Sequence, residues 1–296
     1  VFQNHNDMKL TLGDISAHQI NWHDKASNLV TLSEQLNINL DSMVFIDDSE
    51  FEVNLINDKL PQVTTIWLDK NKPVDITQKL KTSILFEQLS ITSEDSLKAD
   101  MYQHEIQRED FKKNNIDDYL SALQLKMEIN IASKIDAPRV SQQTQKTNQF
   151  NLTTKRYSES DINQFIEQPN VDVLTIRVED KFGDMGRVGS AIIKYHEKNV
   201  EIDTFLLSCR ALGRKVERSF LYEIIKFCEY KGVKEVTCSY EKTSRNMQTE
   251  FFYDDNYFTC LSSNNEGKKY SMPIINIGIN PIDFISIDNT NIYENR

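Results

Sequence analysis

The sequence predicts an α/β protein of two modules joined by a helical connector. In front lies a parallel-sheet layer; behind it comes a mixed, mostly antiparallel sheet with helices. Three observations carry this. From residue 1 to about 83, strand-like and helix-like runs alternate, the pattern of an α/β layer. From about 84 to 123 the pattern is polar and helical. At Leu125 the period changes to strict apolar–polar alternation, and strands predominate from there.

Composition bounds the possibilities. The 296 residues, 39% hydrophobic and 27% charged, suffice for about two cores. A net charge of −11, without a basic stripe interleaved with aromatics, argues against nucleic acid or anionic lipid as a partner. Cys209, Cys228, Cys238 and Cys260 all lie in the last third, with no CxxC pair and no zinc spacing, and read as reduced cytosolic thiols. No apolar run approaches the roughly 20 residues of a membrane span, and no signal pattern opens the chain. The expectation is a cytoplasmic protein without a membrane partner.

Each element has its own signal. Asp24 to Asn37 reads as a helix with an acidic start and Ala26, Leu29, Val30 and Leu36 on one face. Met43-Val44-Phe45-Ile46 is the continuous apolar run of a parallel strand buried on both faces, and it ends in Asp47-Asp48. Phe51 to Leu60 is amphipathic and stops at Pro61; Val63 to Leu68 is a second strand. In the connector, Thr92 and Asp95 make a capping box, and Ile116, Tyr119, Leu120 and Leu123 share a helix face. Leu125, Met127, Ile129 and Ile131 form a half-buried strand, and Ser158 with Asp161 caps a short helix. Strands follow at about 172–179, 187–196 and 200–208, with turns at Gly183-Asp184-Met185-Gly186 and Glu197-Lys198-Asn199. Lys215 to Lys231 is a helix stopped by Gly232. Residues 235–240 read as a strand, 246–254 as a helix, and the tail as one or two final strands. The domains expected are 1–83, a connector 84–123, 124–283, and a polar tail 284–296.

The first candidate site is the acidic strand end. In an open α/β sheet, ligands bind at the carboxyl ends of strands. Adjacent carboxylates there repel unless a cation or donor relieves them, and hard oxygens suit Mg²⁺. Capping of the next helix explains such a pair about as well. Lys25, in the first turn of an earlier helix, adds an ammonium to a helix N-terminus, a natural phosphate site.

These residues resemble the haloacid dehalogenase (HAD) superfamily, and in particular its FkbH-like branch. Residues 20–29 (INWHDKASNL) resemble its third motif and residues 44–52 (VFIDDSEFE) its fourth. The resemblance implies that Lys25 faces the phosphoryl group and that Asp48, with Asp47 beside it, holds Mg²⁺. It also implies an Asp-x-Asp nucleophile strand upstream of Val1, so the chain reads as a fragment without phosphatase turnover of its own.

The second candidate site is the loop Cys209-Arg210-Ala211-Leu212-Gly213-Arg214-Lys215, between a strand and a long helix. Outward backbone N–H groups, the glycine and the two arginines together suit a pyrophosphate. The loop resembles the GNAT acyltransferase fingerprint, with Lys215 standing where that pattern has Gly or Ala, and the likeness spans about residues 125–280. The resemblance implies acetyl-CoA, another acyl-CoA or phosphopantetheine bound by Arg210, Gly213, Arg214 and Lys215. Asn246 and Tyr253 resemble the later GNAT segment, where a tyrosine protonates the leaving thiolate; aromatic core is the competing reading. Residues 144–153 (TQKTNQFNLT) and 201–210 (EIDTFLLSCR) also resemble the FkbH-like branch. The dense amides of the former could bind substrate or staple the loop. Asn21, Lys146, Asn148 and Asn151 are the substrate-binding candidates. Cys209 is either an acyl acceptor or a small buried residue at a strand end.

Three functions follow. The first is a Mg²⁺-dependent phosphatase or acyl/glyceryl transferase acting on a phosphorylated small acid. The resemblance extends this to loading an acyl carrier protein in secondary-metabolite (polyketide) or polysaccharide biosynthesis. The second is an acyl-CoA N-acyltransferase. The third is a non-catalytic carrier-protein docking module.

Overall fold

Asp24 starts the first helix, as its sequence position implies. In the computed structural model, which describes residues 10–87, 101, 102, 104, 108, 116–197, 199–276 and 278–294, contacts divide the chain into two units, Val1–Phe111 and Lys112–Arg296. The connector's capping box at Thr92 and Asp95 lies outside the described residues.

In the first unit, α1 (Lys25–Leu36) is capped by the Asp24 carboxylate, which accepts from the Ser27 N–H, and it ends at a left-handed Asn37. Then come β1 (Val44–Asp47), α2 (Glu50–Lys59) and β2 (Thr64–Trp67). The two strands pair in parallel, Val44 opposite Thr64 through Asp47 opposite Trp67. Ala26, Leu29, Ile56, Leu60 and Val63 form the core, with Phe45 packed against it. Burial of β1 on both faces is not observed. Ile46 is 37% exposed, because this sheet has two strands and α1 and α2 supply the cover that Phe45 meets. A further helix, α3 (Pro73–Lys81), buries none of its residues.

The second unit holds α4 (Ile116–Ala122), β3 (Lys126–Ile131), α5 (Ala137–Lys146), β4 (Phe150–Asn151) and α6 (Glu159–Glu167). After them come β5 (Val171–Asp180), β6 (Gly183–Tyr195), β7 (Asn199–Leu207), α7 (Val216–Tyr230) and β8 (Glu235–Glu241). The chain closes with β9 (Thr259–Ser263), β10 (Gly267–Pro273), β11 (Ser286–Asp288) and α8 (Thr290–Glu294). Among the described residues the sheet has nine strands in the order β11-β3-β5-β6-β7-β8-β10-β9, with β4 attached to β7. β7–β8 and β11–β3 are parallel; the other pairs are antiparallel. One sheet face packs Val173 and Ile192 under Val140 of α5 and Ile162 of α6. The other packs Ile176, Ile193 and Phe205 into the larger cluster with Phe220, Ile224 and Phe227 of α7. Because both faces are covered, β5 and β7 are buried along most of their length, polar Asp172, Thr175, Asp203 and Thr204 included.

Three expectations are corrected. The β5–β6 turn is Lys181-Phe182, not residues 183–186, because the Asp180 carboxylate accepts from the Phe182 and Gly183 N–H groups and closes the hairpin early. The glycines instead serve the irregular start of β6, where Gly186 has φ +71°. Residues 246–254 are not an α-helix. A 3-10 turn at Met247–Thr249 is followed by successive turns up to Tyr257 at φ +64°. The tail is not simply polar: β11 extends the sheet beside β3, and Ile285 and Ile292 enter the core.

Gly189 marks how tightly the sheet packs. A Cβ there would lie 2.6 Å from Leu207 Cδ1 and 2.9 Å from Ile176 Cγ1. Gly189→Ala is therefore expected to cost about 2 kcal/mol by overpacking, read as a lower midpoint in urea unfolding. An unchanged midpoint would contradict the close packing.

Candidate functional site

The first unit brings Lys25 and Asp47 together. Lys25 opens α1 and Asp47 closes β1; their Nζ–Oδ2 distance is 2.5 Å, while the Ser49 N–H donates to Asp47 Oδ1 at 2.8 Å. Burial alone would raise the Asp47 carboxyl, but the Lys25 and Ser49 hydrogen bonds and the Lys25 charge outweigh it, and the net direction is down. Asp48 is exposed, and its carbonyl accepts from Trp67 Nε1 at 3.1 Å. Lys25 thus supplies a cation to Asp47, one member of the carboxylate pair. Among the described residues no three His, Cys, Asp or Glu side chains cluster as metal ligands. Asn21 knots the loop before α1, exchanging hydrogen bonds with Asn28 and accepting from the His23 N–H.

The linkage sign for Asp47 follows from its depressed pKa. Its contribution is full above the ordinary carboxylate range and is lost as pH falls through the lowered value. Lys25→Met is expected to move the Asp47 titration upward in an NMR pH series. Because the Lys25 side chain is 43% exposed, the stability cost is expected to stay below about 1 kcal/mol. An unmoved Asp47 titration would sever the pair.

In the second unit, β7 runs into a 3-10 turn at Cys209–Ala211, then Leu212, Gly213, Arg214 and Lys215, and then α7. Gly213 has φ +74°, and a Cβ there would meet nothing within 4 Å, so its backbone faces open space. Lys215 is the N-cap of α7 at φ 61° and ψ 12°, a left-handed conformation that costs a non-glycine residue roughly 1–2 kcal/mol. A lysine has no acceptor with which to cap, and no side-chain cap bond is made. It also places positive charge at the positive end of a 15-residue helix. An anion at this helix end would offset all of these costs. The lysine ammonium lies 5.5 Å from the centre of the Phe284 ring.

The arginines turn the other way. Arg214 Nη1 donates to the Arg210 carbonyl, and Arg210 Nε donates to Ser208 Oγ at 3.4 Å; both side chains are buried. These two bonds hold the loop's own carbonyl and hydroxyl. Glu217, which the sequence reading missed, sits in the first turn of α7 with Oε2 buried and no hydrogen-bond partner. Burial pushes its carboxyl up, against its own backbone N–H and the Arg214 charge. An acidic residue in a helix's first turn was the available signal.

The remaining candidates lie as follows. Buried Asn246 accepts at Oδ1 from the Thr243 N–H (2.8 Å) and Oγ1 (2.9 Å). It donates from Nδ2 to the Asn151 and Glu241 carbonyls, each at 2.9 Å. Tyr253 lies in the aromatic core with Phe252, Phe258 and Tyr270, its hydroxyl beside Cys238, and burial raises it far above its usual range. It is not presented to a leaving thiolate. Asn148 Oδ1 accepts from Arg156 Nη2 at 2.6 Å, and buried Asn151 accepts from the Thr154 N–H at 2.9 Å. Lys146 lies exposed in the last turn of α5, where its charge suits the helix end. The amide-rich segment staples the loop. Cys209 is half-buried, and none of the four cysteines is in a disulfide.

What is stapled lies between two strands. β7 and β8 pair only over Asn199–Ile202 and Glu235–Cys238. Beyond that point, Phe150 and Asn151 pair with Leu207 and Leu206 of β7. The Leu152 N–H donates to the Phe205 carbonyl (3.1 Å), and the Glu241 N–H of β8 donates to the Leu152 carbonyl (2.7 Å). Thr153 Oγ1 donates to the Asp203 carbonyl at 2.9 Å. The buried Asp203 carboxylate accepts from Lys155 (2.8 Å), Lys194 (2.7 Å) and Tyr157 (2.8 Å). Burial would raise this carboxyl, but those three donors and the Lys155 charge lower it.

No protein-family model matches the sequence, and no curated protein matches it. Solved structures similar to this chain include an acetyltransferase from Thermus thermophilus, at 14% identity over 51% of this chain and 99% of that chain, TM-score 0.39. The ribosomal-protein-S18-alanine N-acetyltransferase from Escherichia coli matches at 13% identity over 50% and 94%, TM-score 0.39. The N-terminal part of a Bacteroides fragilis protein, containing a phosphatase domain complexed with Mg, matches at 41% identity. That match covers 30% of this chain and only 24% of that chain, with a TM-score of 0.29. No helix among the described residues is long and apolar enough to cross a membrane.

Proposed function

We propose that the second unit is a phosphate-recognising module of acyltransferase-like fold. Its ligand would be the phosphate end of a thiol carrier: coenzyme A, or the phosphopantetheinyl group of an acyl carrier protein. The first unit would place Lys25 toward the phosphoryl group of a phosphorylated small acid. One observation carries the reading of the second unit: a left-handed lysine at the N-cap of α7, with no side-chain cap, beside the open backbone of Gly213. The α7 N-terminus, Gly213 and Lys215 fit the phosphates of such a ligand. When bound, the carrier would supply a thiol or thioester, and these residues would hold and orient its phosphate.

The element order also supports an acyl-CoA N-acyltransferase. The burial of Tyr253 and the saturation of Asn246 favour docking over acyl transfer.

Calorimetry with acetyl-CoA and with a phosphopantetheinylated carrier protein tests this. Lys215→Gly removes one charged hydrogen bond, worth roughly 1.5–3 kcal/mol, so binding is expected to weaken tenfold or more. The same change relieves the left-handed strain and is expected to raise stability by about 1 kcal/mol. No heat with either ligand, or equal affinity in the variant, would overturn the reading.

A further inference from the structure

We infer that Phe150–Thr153 is a fixed internal occupant of the wedge between β7 and β8. It restricts the module to ligands gripped by their phosphate, whose organic arm stays outside the sheet. The ligand class rests on the function proposed above; the occupied wedge does not.

Two parallel strands that part leave two backbone edges, and an extended amide-bearing molecule adds to such edges as another strand would. Here the chain has already done so. The occupant bonds both walls: Phe205, Leu206 and Leu207 of β7 on one side, Glu241 of β8 on the other. All four of its residues are buried. Phe150 lies 5.0 Å from the Phe252 ring centre and 5.9 Å from that of Phe205, and Leu152 belongs to the main core.

Locks on both sides hold the segment. Asn246 grips the Asn151 carbonyl from the β8 side, and Asp203 gathers Lys155 and Tyr157, just beyond the segment, onto β7. A pantetheine arm entering here would have to expose Phe150 and Leu152 to water and break these bonds at once. Gly213, by contrast, meets nothing on its open side. The phosphate end therefore has a seat while the arm has none. A carrier-borne phosphopantetheine that stays attached to its own protein satisfies both conditions.

Hydrogen exchange of the Leu152 and Glu241 amides, with and without excess acetyl-CoA, tests this in the full chain. Both amides are expected to exchange as slowly as the sheet core and to change less than about twofold with acetyl-CoA. Fast exchange in the ligand-free protein, or loss of protection on adding acetyl-CoA, would overturn the inference. If the Gly213–Val216 amides also ignore acetyl-CoA, the phosphate reading fails while the occupied wedge stands.

Discussion

Replacing Asn246 by alanine is expected to destabilise the second unit by about 4 kcal/mol, because it strands several buried groups together. The Thr243 N–H and hydroxyl lose their acceptor, and the Asn151 and Glu241 carbonyls lose their donor. For a domain of this size that is a fall in Tm of about 10 °C. Urea unfolding followed by far-UV CD measures it, and Asn246→Asp, which keeps the acceptor but not the donor, is expected to fall between. A loss under about 1 kcal/mol would mean that Asn246 is no structural lock.

Asp203→Asn is expected to cost about 3 kcal/mol, since one partner of a buried charged network disappears while three donors remain. Asparagine offers one acceptor oxygen where Lys155, Lys194 and Tyr157 converge. The pH dependence carries a sign. Asp203 has a depressed pKa, so its stabilisation is complete above the ordinary carboxylate range and disappears as pH falls through the lowered value. The wild-type protein should therefore lose stability on acidification more steeply than Asp203→Asn. Parallel pH profiles of the two proteins would contradict the assignment.

These two residues show where sequence reasoning stops. Local signals were legible: Asp24 and Asn37 bracket α1, the Ser158–Asp161 capping box starts α6, and Gly232 follows the end of α7. The open Gly213 and the loop before α7 were legible too, because strand, glycine and helix are contiguous. Helix α5 was not, since its buried face includes Arg139, Gln142, Gln143 and Thr144 in place of an apolar stripe. Asn246 could be singled out by type, but its partner carbonyl on Asn151 lies 95 residues away, and no local pattern encodes that distance. The bond from Arg214 to the Arg210 carbonyl was likewise beyond reach, because nothing in the loop's spelling encodes it.

If recognition ends at the phosphate, coenzyme A must bind no better than its phosphate-bearing end alone. Acetyl-CoA is titrated by calorimetry beside adenosine 3′-phosphate 5′-diphosphate, which is coenzyme A without its pantetheine arm. With the β7–β8 wedge filled by Phe150–Thr153, the two dissociation constants are expected to agree within about threefold, a difference under about 1 kcal/mol. Acetyl-CoA binding at least about thirtyfold tighter, roughly 2 kcal/mol, would place the arm inside the sheet and contradict the account.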